Sequence, residues 1–209
     1  MIRIKQMGYW IILSFLAGSM LCGCSAMSSL QTARVTKKEK VGFAFGIGGF
    51  FNQKNGEGSL VSNYNFFEVN LRYGIHRKWD IGVELGLPAL LFFDTKYQFA
   101  GDDSSKLACS VGLGIGLNPW NENLFDGFGI LLPLYTSYHP SPEVAFYISP
   151  RLFSSIVKES KPGYLAGASA GIRLGRSGAL VLEYSGYTNF KNDNEYISQV
   201  MAAFSLNIP

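Results

Sequence analysis

The chain reads as all-β: a transmembrane, antiparallel, up-and-down β-barrel of about ten strands over residues 41–209. Three observations predict it. Strict two-residue alternation runs through Phe66–Leu87, where Phe67, Val69, Leu71, Tyr73 and Ile75 alternate with Glu68, Asn70, Arg72 and Gly74. After His76-Arg77-Lys78, Trp79, Ile81, Val83, Leu85 and Leu87 alternate with Asp80, Gly82, Glu84 and Gly86, the signature of a β-hairpin. Each run is roughly ten residues long, about twice the commonest soluble strand and close to the roughly 9–11 residues a tilted strand needs to cross a bilayer. Finally, the minor face mixes Gly, Ala and Ser with charges, which suits a narrow lumen better than a solvated exterior.

The remaining strands follow the same pattern. Strand one sets Val41, Phe43, Phe45, Ile47 and Phe51 against Gly42, Ala44, Gly46 and Gly48, and Asn52–Asn65 reads as a polar loop. The hairpin supplies strands two and three. Pro88 interrupts, and Leu91, Phe93, Thr95, Tyr97 and Phe99 form strand four against Asp94, Lys96 and Gln98. Gly101–Ser105 turns the chain into strand five, Leu107–Leu117, whose minor face is Ala108, Ser110, Gly112, Gly114 and Gly116.

A loop at Asn118–Gly127 precedes strand six, about Phe128–Tyr138, where Pro133 costs a ladder bond and predicts a bulge. His139–Pro142 turns into strand seven, about Glu143–Ser155, and Lys158–Pro162 is a loop. Strand eight is about Gly163–Gly175, and strand nine about Ala179–Tyr187 after a tight turn at 176–178. Asn189–Asn194 is a loop before strand ten, Tyr196–Ile208. The even strand number and the alternation of short turns with longer loops match an outer-membrane barrel whose two ends lie on the periplasmic side. Tyr73, Trp79, Tyr97, Phe99, Tyr138 and Tyr196 fall near strand ends, where interfacial girdles sit.

The amino terminus reads as an address. Arg3 and Lys5 precede an apolar run from Tyr9 to Leu21, the length of a signal peptide and too short for a comfortable membrane helix. Leu21-Cys22-Gly23-Cys24 resembles a bacterial lipobox, with Cys22 where a small or hydroxylated residue is usual. The resemblance implies a signal peptide over 1–23, cleavage before Cys24, and attachment there of diacylglycerol and a fatty acid such as palmitate. Ser25 implies sorting to the outer membrane. Residues 24–40 then form a lipidated tether that buries nothing, held in the inner leaflet, with Lys37–Lys40 solvated. Only Cys109 would remain as a free thiol, and loss of Arg3 and Lys5 lowers the formal charge from +3 to about +1, leaving no basic patch for nucleic acid.

SLQTAR, KVGFAFGIGG, WDIGVELGLP, KYQF and LPLYTSYHPSPEVAFYISPRL together resemble a group of bacterial outer-membrane β-barrel lipoproteins, porin-like and small, with little assigned function. Gln199–Leu206 resembles the carboxy-terminal insertion signal of such barrels, although Met201 and Pro209 depart from it. The resemblance implies the outer-membrane bilayer, the barrel-insertion machinery and the lipoprotein-sorting machinery as partners, and a monomer.

Glu68, Arg72, Glu84, Asp94, Lys96, Arg151, Arg173 and Glu183 fall on the lumen face. Ions out of bulk water must pair, so they predict a charge network that fills the interior and fixes register. Arg72 and Glu84 are diagonal neighbours across the hairpin. No catalytic, cofactor or metal site is expected. The two histidines, His76 and His139, fall in periplasmic turns, and Cys109 faces lipid. Gly112, Gly114 and Gly116 keep strand period and are no phosphate loop. The expected role is structural, surface-interacting or passage of very small solutes. A soluble periplasmic lipoprotein barrel with a hydrophobic ligand, or less readily a membrane-barrel enzyme, is the alternative.

Overall fold

The computed structural model describes residues 28–54, 57–87, 90–117, 127–157, 163–189 and 192–208. Residues 1–27, where the signal peptide and Cys24 modification are expected, lie outside them, as do Pro88 and the loops expected at 118–126 and 158–162. Ten strands follow in order: β1 (Val41–Lys54), β2 (Glu57–His76), β3 (Trp79–Leu87), β4 (Leu90–Ala100), β5 (Leu107–Leu117), β6 (Gly127–Ser141), β7 (Val144–Val157), β8 (Gly163–Leu174), β9 (Gly178–Asn189) and β10 (Asn192–Ile208). Each pairs antiparallel with its chain neighbour, and β1 pairs with β10 to close the barrel. Val41 lies opposite Ile208, so the barrel begins and finishes at one end, the end of the short turns. We call this the turn end and the opposite one the loop end.

Alternation decides which face is wet. Along β5, Ala108, Ser110, Gly112, Gly114 and Gly116 are buried inward, while Leu107, Val111, Leu113 and Ile115 point out. The outward set continues around the wall with Phe45, Leu71, Ile81, Phe93, Leu134, Ile148, Leu182 and Phe204, each more than 40% exposed. A continuous apolar belt of this kind is tolerated in lipid and not in water. Closure also pairs every ladder, as hydrocarbon demands. The protein is therefore a membrane-spanning barrel, and the soluble alternative, which needs its apolar residues inward, is overturned. The Trp79 and Tyr97 rings meet at 4.9 Å between centroids, tilted by 43°, near the turn end, with Phe99 and Tyr138 exposed at the same end.

Three local readings change. Asn52–Asn65 is mostly ladder: Lys54 pairs with Glu57, so β1 and β2 run on together as a long hairpin. Pro133 makes no bulge, because β6 keeps one register with β7 from Gly127–Val157 to Tyr138–Phe146. The ring instead sits buried against Gly112, where an added Cβ would come 2.8 Å from Pro133 Cγ. The β6–β7 register shift falls at Tyr138/Ser141, and His139 belongs to β6 and is buried, not in a turn.

The largest correction concerns the tether. Residues 28–36 lie inside the barrel, with Ser28, Ser29 and Ala33 fully buried and Leu30 and Val35 nearly so. Among the described tether residues, only Lys37–Lys40 are exposed as expected.

The plugged lumen as candidate functional site

The amino-terminal segment descends the lumen and leaves at the turn end. Its lower anchor is a tight turn: Lys40 N donates to Lys37 O at 3.0 Å, and Glu39 takes a positive φ of 62°. Glu39 N donates to Gly74 O at 2.7 Å and Gly74 N to Lys40 O at 3.1 Å, which docks the turn on β2. Gly74 permits this because a Cβ there would sit 2.1 Å from Lys37 O.

Above the anchor, wall side chains take the plug's backbone. Thr36 N donates to Asp80 Oδ2 at 2.7 Å, Val35 N to Gln98 Oε1 at 3.0 Å, and Ala33 N to Ser137 Oγ at 3.1 Å. Ser110 Oγ donates to Ala33 O. Lys96 Nζ donates to Thr32 O and Arg34 O, both at 3.1 Å, and to Gln31 Oε1 at 3.0 Å. Deeper still, Glu183 accepts Ser29 N at 2.6 Å, Ser29 Oγ at 2.9 Å and Leu30 N at 2.7 Å. Tyr147 Oη and Ser185 Oγ complete that carboxylate at 2.7 and 3.0 Å. Arg151 Nη1 donates to Ser28 O at 2.6 Å, and Ser28 Oγ donates to Glu68. Leu30 enters an apolar pocket of Tyr147, Val181, Met201 and Ala203.

The eight charged residues expected in the lumen separate into three groups. Arg72 and Asp94 pair through Nη1 at 2.8 Å, and Arg72 Nη2 meets Asp80 at 2.6 Å; Lys96 stands 3.8 Å from Asp80. Arg72 thus turns from Glu84, its diagonal neighbour, to two aspartates. Glu84 accepts instead from Asn70 Nδ2 at 3.3 Å, across the ladder. Glu68, Glu84, Glu183 and Arg151 form the second group, which Ser28–Leu30 completes. Arg173 joins neither, capping the β8–β9 turn through Gly175 O at 2.8 Å and Arg176 O at 3.3 Å.

Asp80 is the wall residue the sequence reading left out, although it shares the lumen parity of Gly82 and Glu84. The plug had no such signal, since a short polar segment reads alike in water and in a polar lumen. Inward aromatics were missed too: Phe92 meets Phe153 edge-on at 6.1 Å, and Tyr135, Tyr147 and Tyr187 are buried.

A cavity of about 850 Å³ remains at the turn-end mouth, lined by Arg34, Lys106, His139, Arg173 and Arg176 among others. His139 Nε2 lies 2.9 Å from Ser137 Oγ, the hydroxyl that also takes Ala33 N. Among the described residues no cluster of His, Cys, Asp and Glu has the geometry of a metal site, and Cys109 is a free, half-buried thiol.

No protein-family model matches the chain, and no curated protein matches it in sequence. Similar folds occur among solved structures. Ail, the attachment invasion locus protein of Yersinia pestis, is 11% identical, covering 82% of this chain and 99% of that one with a TM-score of 0.40. Neisserial surface protein A is 10% identical over 79% of this chain and 96% of that one, TM-score 0.36. The monoaromatic hydrocarbon channel CymD is 12% identical over 91% and 78%, TM-score 0.35. The likeness is one of β-barrel architecture and carries nothing about activity.

Proposed function

We propose that this protein is a lipid-anchored barrel of a bacterial outer membrane, closed by its own amino-terminal segment, with a structural or surface-interacting role and passage of very small solutes only when that segment leaves. The observation that carries the reading is the filled lumen: residues 28–36 occupy it through Glu183, Lys96, Asp80, Gln98 and Arg151. The turn end faces the periplasm, as short turns do in such barrels. The role is non-catalytic. Ser137, the hydroxyl beside His139, is engaged by the backbone of Ala33 and sits at the periplasmic end under the plug. The bilayer, the insertion machinery and the lipoprotein-sorting machinery are its partners, and it works as a monomer.

The lipid belongs on Cys24, and the position of Ser28 changes where that lipid can lie. Ser28 bonds to Glu68, eight residues up β2 from His76, which is about 20 Å of barrel height for a tilted strand. Four residues of chain reach at most about 14 Å. An anchor on Cys24 could therefore not return to the periplasmic leaflet while Ser28 stays bound, and we propose the loop end as its route.

In planar bilayers, purified full-length protein should be electrically silent, and Ser29→Pro, which deletes the N–H held by Glu183, should show unitary openings. A large steady conductance from the unmodified protein would refute the plug. Mature protein should carry a diacylglycerol mass that Cys24→Ser abolishes. An epitope placed after Ser25 should be reachable on intact cells; reach from the periplasm alone would overturn the loop-end route.

A further inference from the structure

The contacts inside the lumen are mostly to backbone. Five plug amides, of Ser29, Leu30, Ala33, Val35 and Thr36, donate to wall side chains. Four plug carbonyls, of Ser28, Thr32, Ala33 and Arg34, accept from wall side chains. Nine residues therefore receive nine main-chain bonds from a wall that supplies both donors and acceptors along its depth. Glu183 takes two successive amides, and the Lys96 ammonium bridges two carbonyls of alternate residues.

Side-chain demands are few. Positions 28, 29 and 33 hold Ser, Ser and Ala with no exposed surface, so small residues are required there. Leu30 fills one aliphatic pocket, and its φ of 45° favours a residue tolerant of the left-handed region. Gln31, Thr32 and Arg34 are only partly buried. If the segment withdraws, Glu183, Lys96, Asp80 and Gln98 lose these partners together, and all four are buried wall groups. A buried charge without partners is costly, so the vacated lumen favours any chain that restores them.

We infer that the lumen is a binding site for a short, non-helical polypeptide segment, recognised through its main chain, for which residues 28–36 are the intramolecular occupant. The ligand class is a short, small-residue-rich peptide with one aliphatic side chain, entering in trans when the resident segment is displaced. The inference rests on the plug being displaceable, as proposed above.

The test uses full-length Ser29→Pro and, as a second way of loosening the plug, Ala33→Leu. Ala33 is fully buried and its N–H and carbonyl meet Ser137 Oγ and Ser110 Oγ, so a larger side chain there dislodges the resident segment and leaves the wall unchanged. Both variants are checked for heat-modifiable migration, then for conductance with synthetic peptides added. A peptide spanning residues 27–37 should close the openings. Exchange of Gln31, Thr32 and Arg34 should change its half-blocking concentration by less than about threefold. N-methylation at the positions of Ser29 and Leu30 removes two charge-assisted bonds and should raise that concentration by at least about tenfold. Openings that no peptide closes, or closure indifferent to N-methylation, overturn the peptide site and leave the plug standing. A lumen that stays shut in both folded variants overturns the displaceable plug and the peptide site with it. If one variant does not fold, the other decides.

Discussion

The two charge clusters in the lumen are built on opposite principles. Near the turn end, Arg72 and Lys96 face Asp80 and Asp94, two cations against two anions, all from the wall strands β2, β3 and β4. Further in, Glu68, Glu84 and Glu183 face Arg151, three carboxylates against one guanidinium, and the plug supplies the missing donors. Even so, Glu68 Oε1 has no hydrogen-bond partner among the described residues. The first cluster balances its charges within the wall, although Lys96 and Asp80 also meet the plug backbone; the second finds its missing donors only in the amino terminus. The wall alone thus balances the charge of the β2–β4 corner, while the centre of the barrel is satisfied only when the segment is in place.

The largest expected effect breaks the charge-balanced cluster. Arg72→Met leaves Asp80 and Asp94 buried without their guanidinium and should cost about 3–5 kcal/mol, read from urea unfolding in lipid vesicles. A loss below 1 kcal/mol would show that the aspartates are hydrated. Glu183→Gln comes next: one carbonyl cannot replace both oxygens, so we expect about 1.5–3 kcal/mol lost. That loss should shrink when Ser29→Pro is already present, because the two act on one contact. Full additivity would mean that Glu183 serves the wall and not the plug.

Gly74→Ala leaves both clusters alone and pushes a Cβ into Lys37 O, dislodging the docked turn. With two backbone bonds at stake, about 1–2 kcal/mol should go, together with raised proteolysis after Lys37 or Lys38. Smallest is Asp102→Asn, a control outside the lumen. Hydrogen bonds from Ser104 and Ser105 hold the Asp102 carboxyl below the usual carboxylate range. Its contribution is therefore present above the unfolded value and fades as the pH falls below it. The substitution should lower stability slightly at neutral pH and converge with the parent in acid; an unchanged gap at low pH would assign the effect to shape.

How much was legible divides along the same line. Parity along each strand placed seven of the eight named charges in the barrel interior, because side-chain direction has period two whatever the tertiary context. Parity would equally have placed Asp80. It could not pair them. Arg72 chooses Asp80 and Asp94 over Glu84 because β3 and β4 bring two carboxylates to one side of its guanidinium, a matter of three adjacent strands. Pro133 reads as a fault in a strand, yet the missing ladder bond leaves the register unshifted and Gly112 makes room for the ring.

By itself the sequence determined the strand number, the closed up-and-down order and the lipid-facing surface, all consequences of local alternation and turn length. The tertiary structure decided what fills the barrel. Ser28 to Thr36 carry no periodicity and little hydrophobicity, so nothing local distinguishes a solvated tether from a plug. The choice is made by Glu183, Lys96, Asp80 and Gln98, far away in sequence, whose buried charges and dipoles are satisfied only when that backbone lies between them.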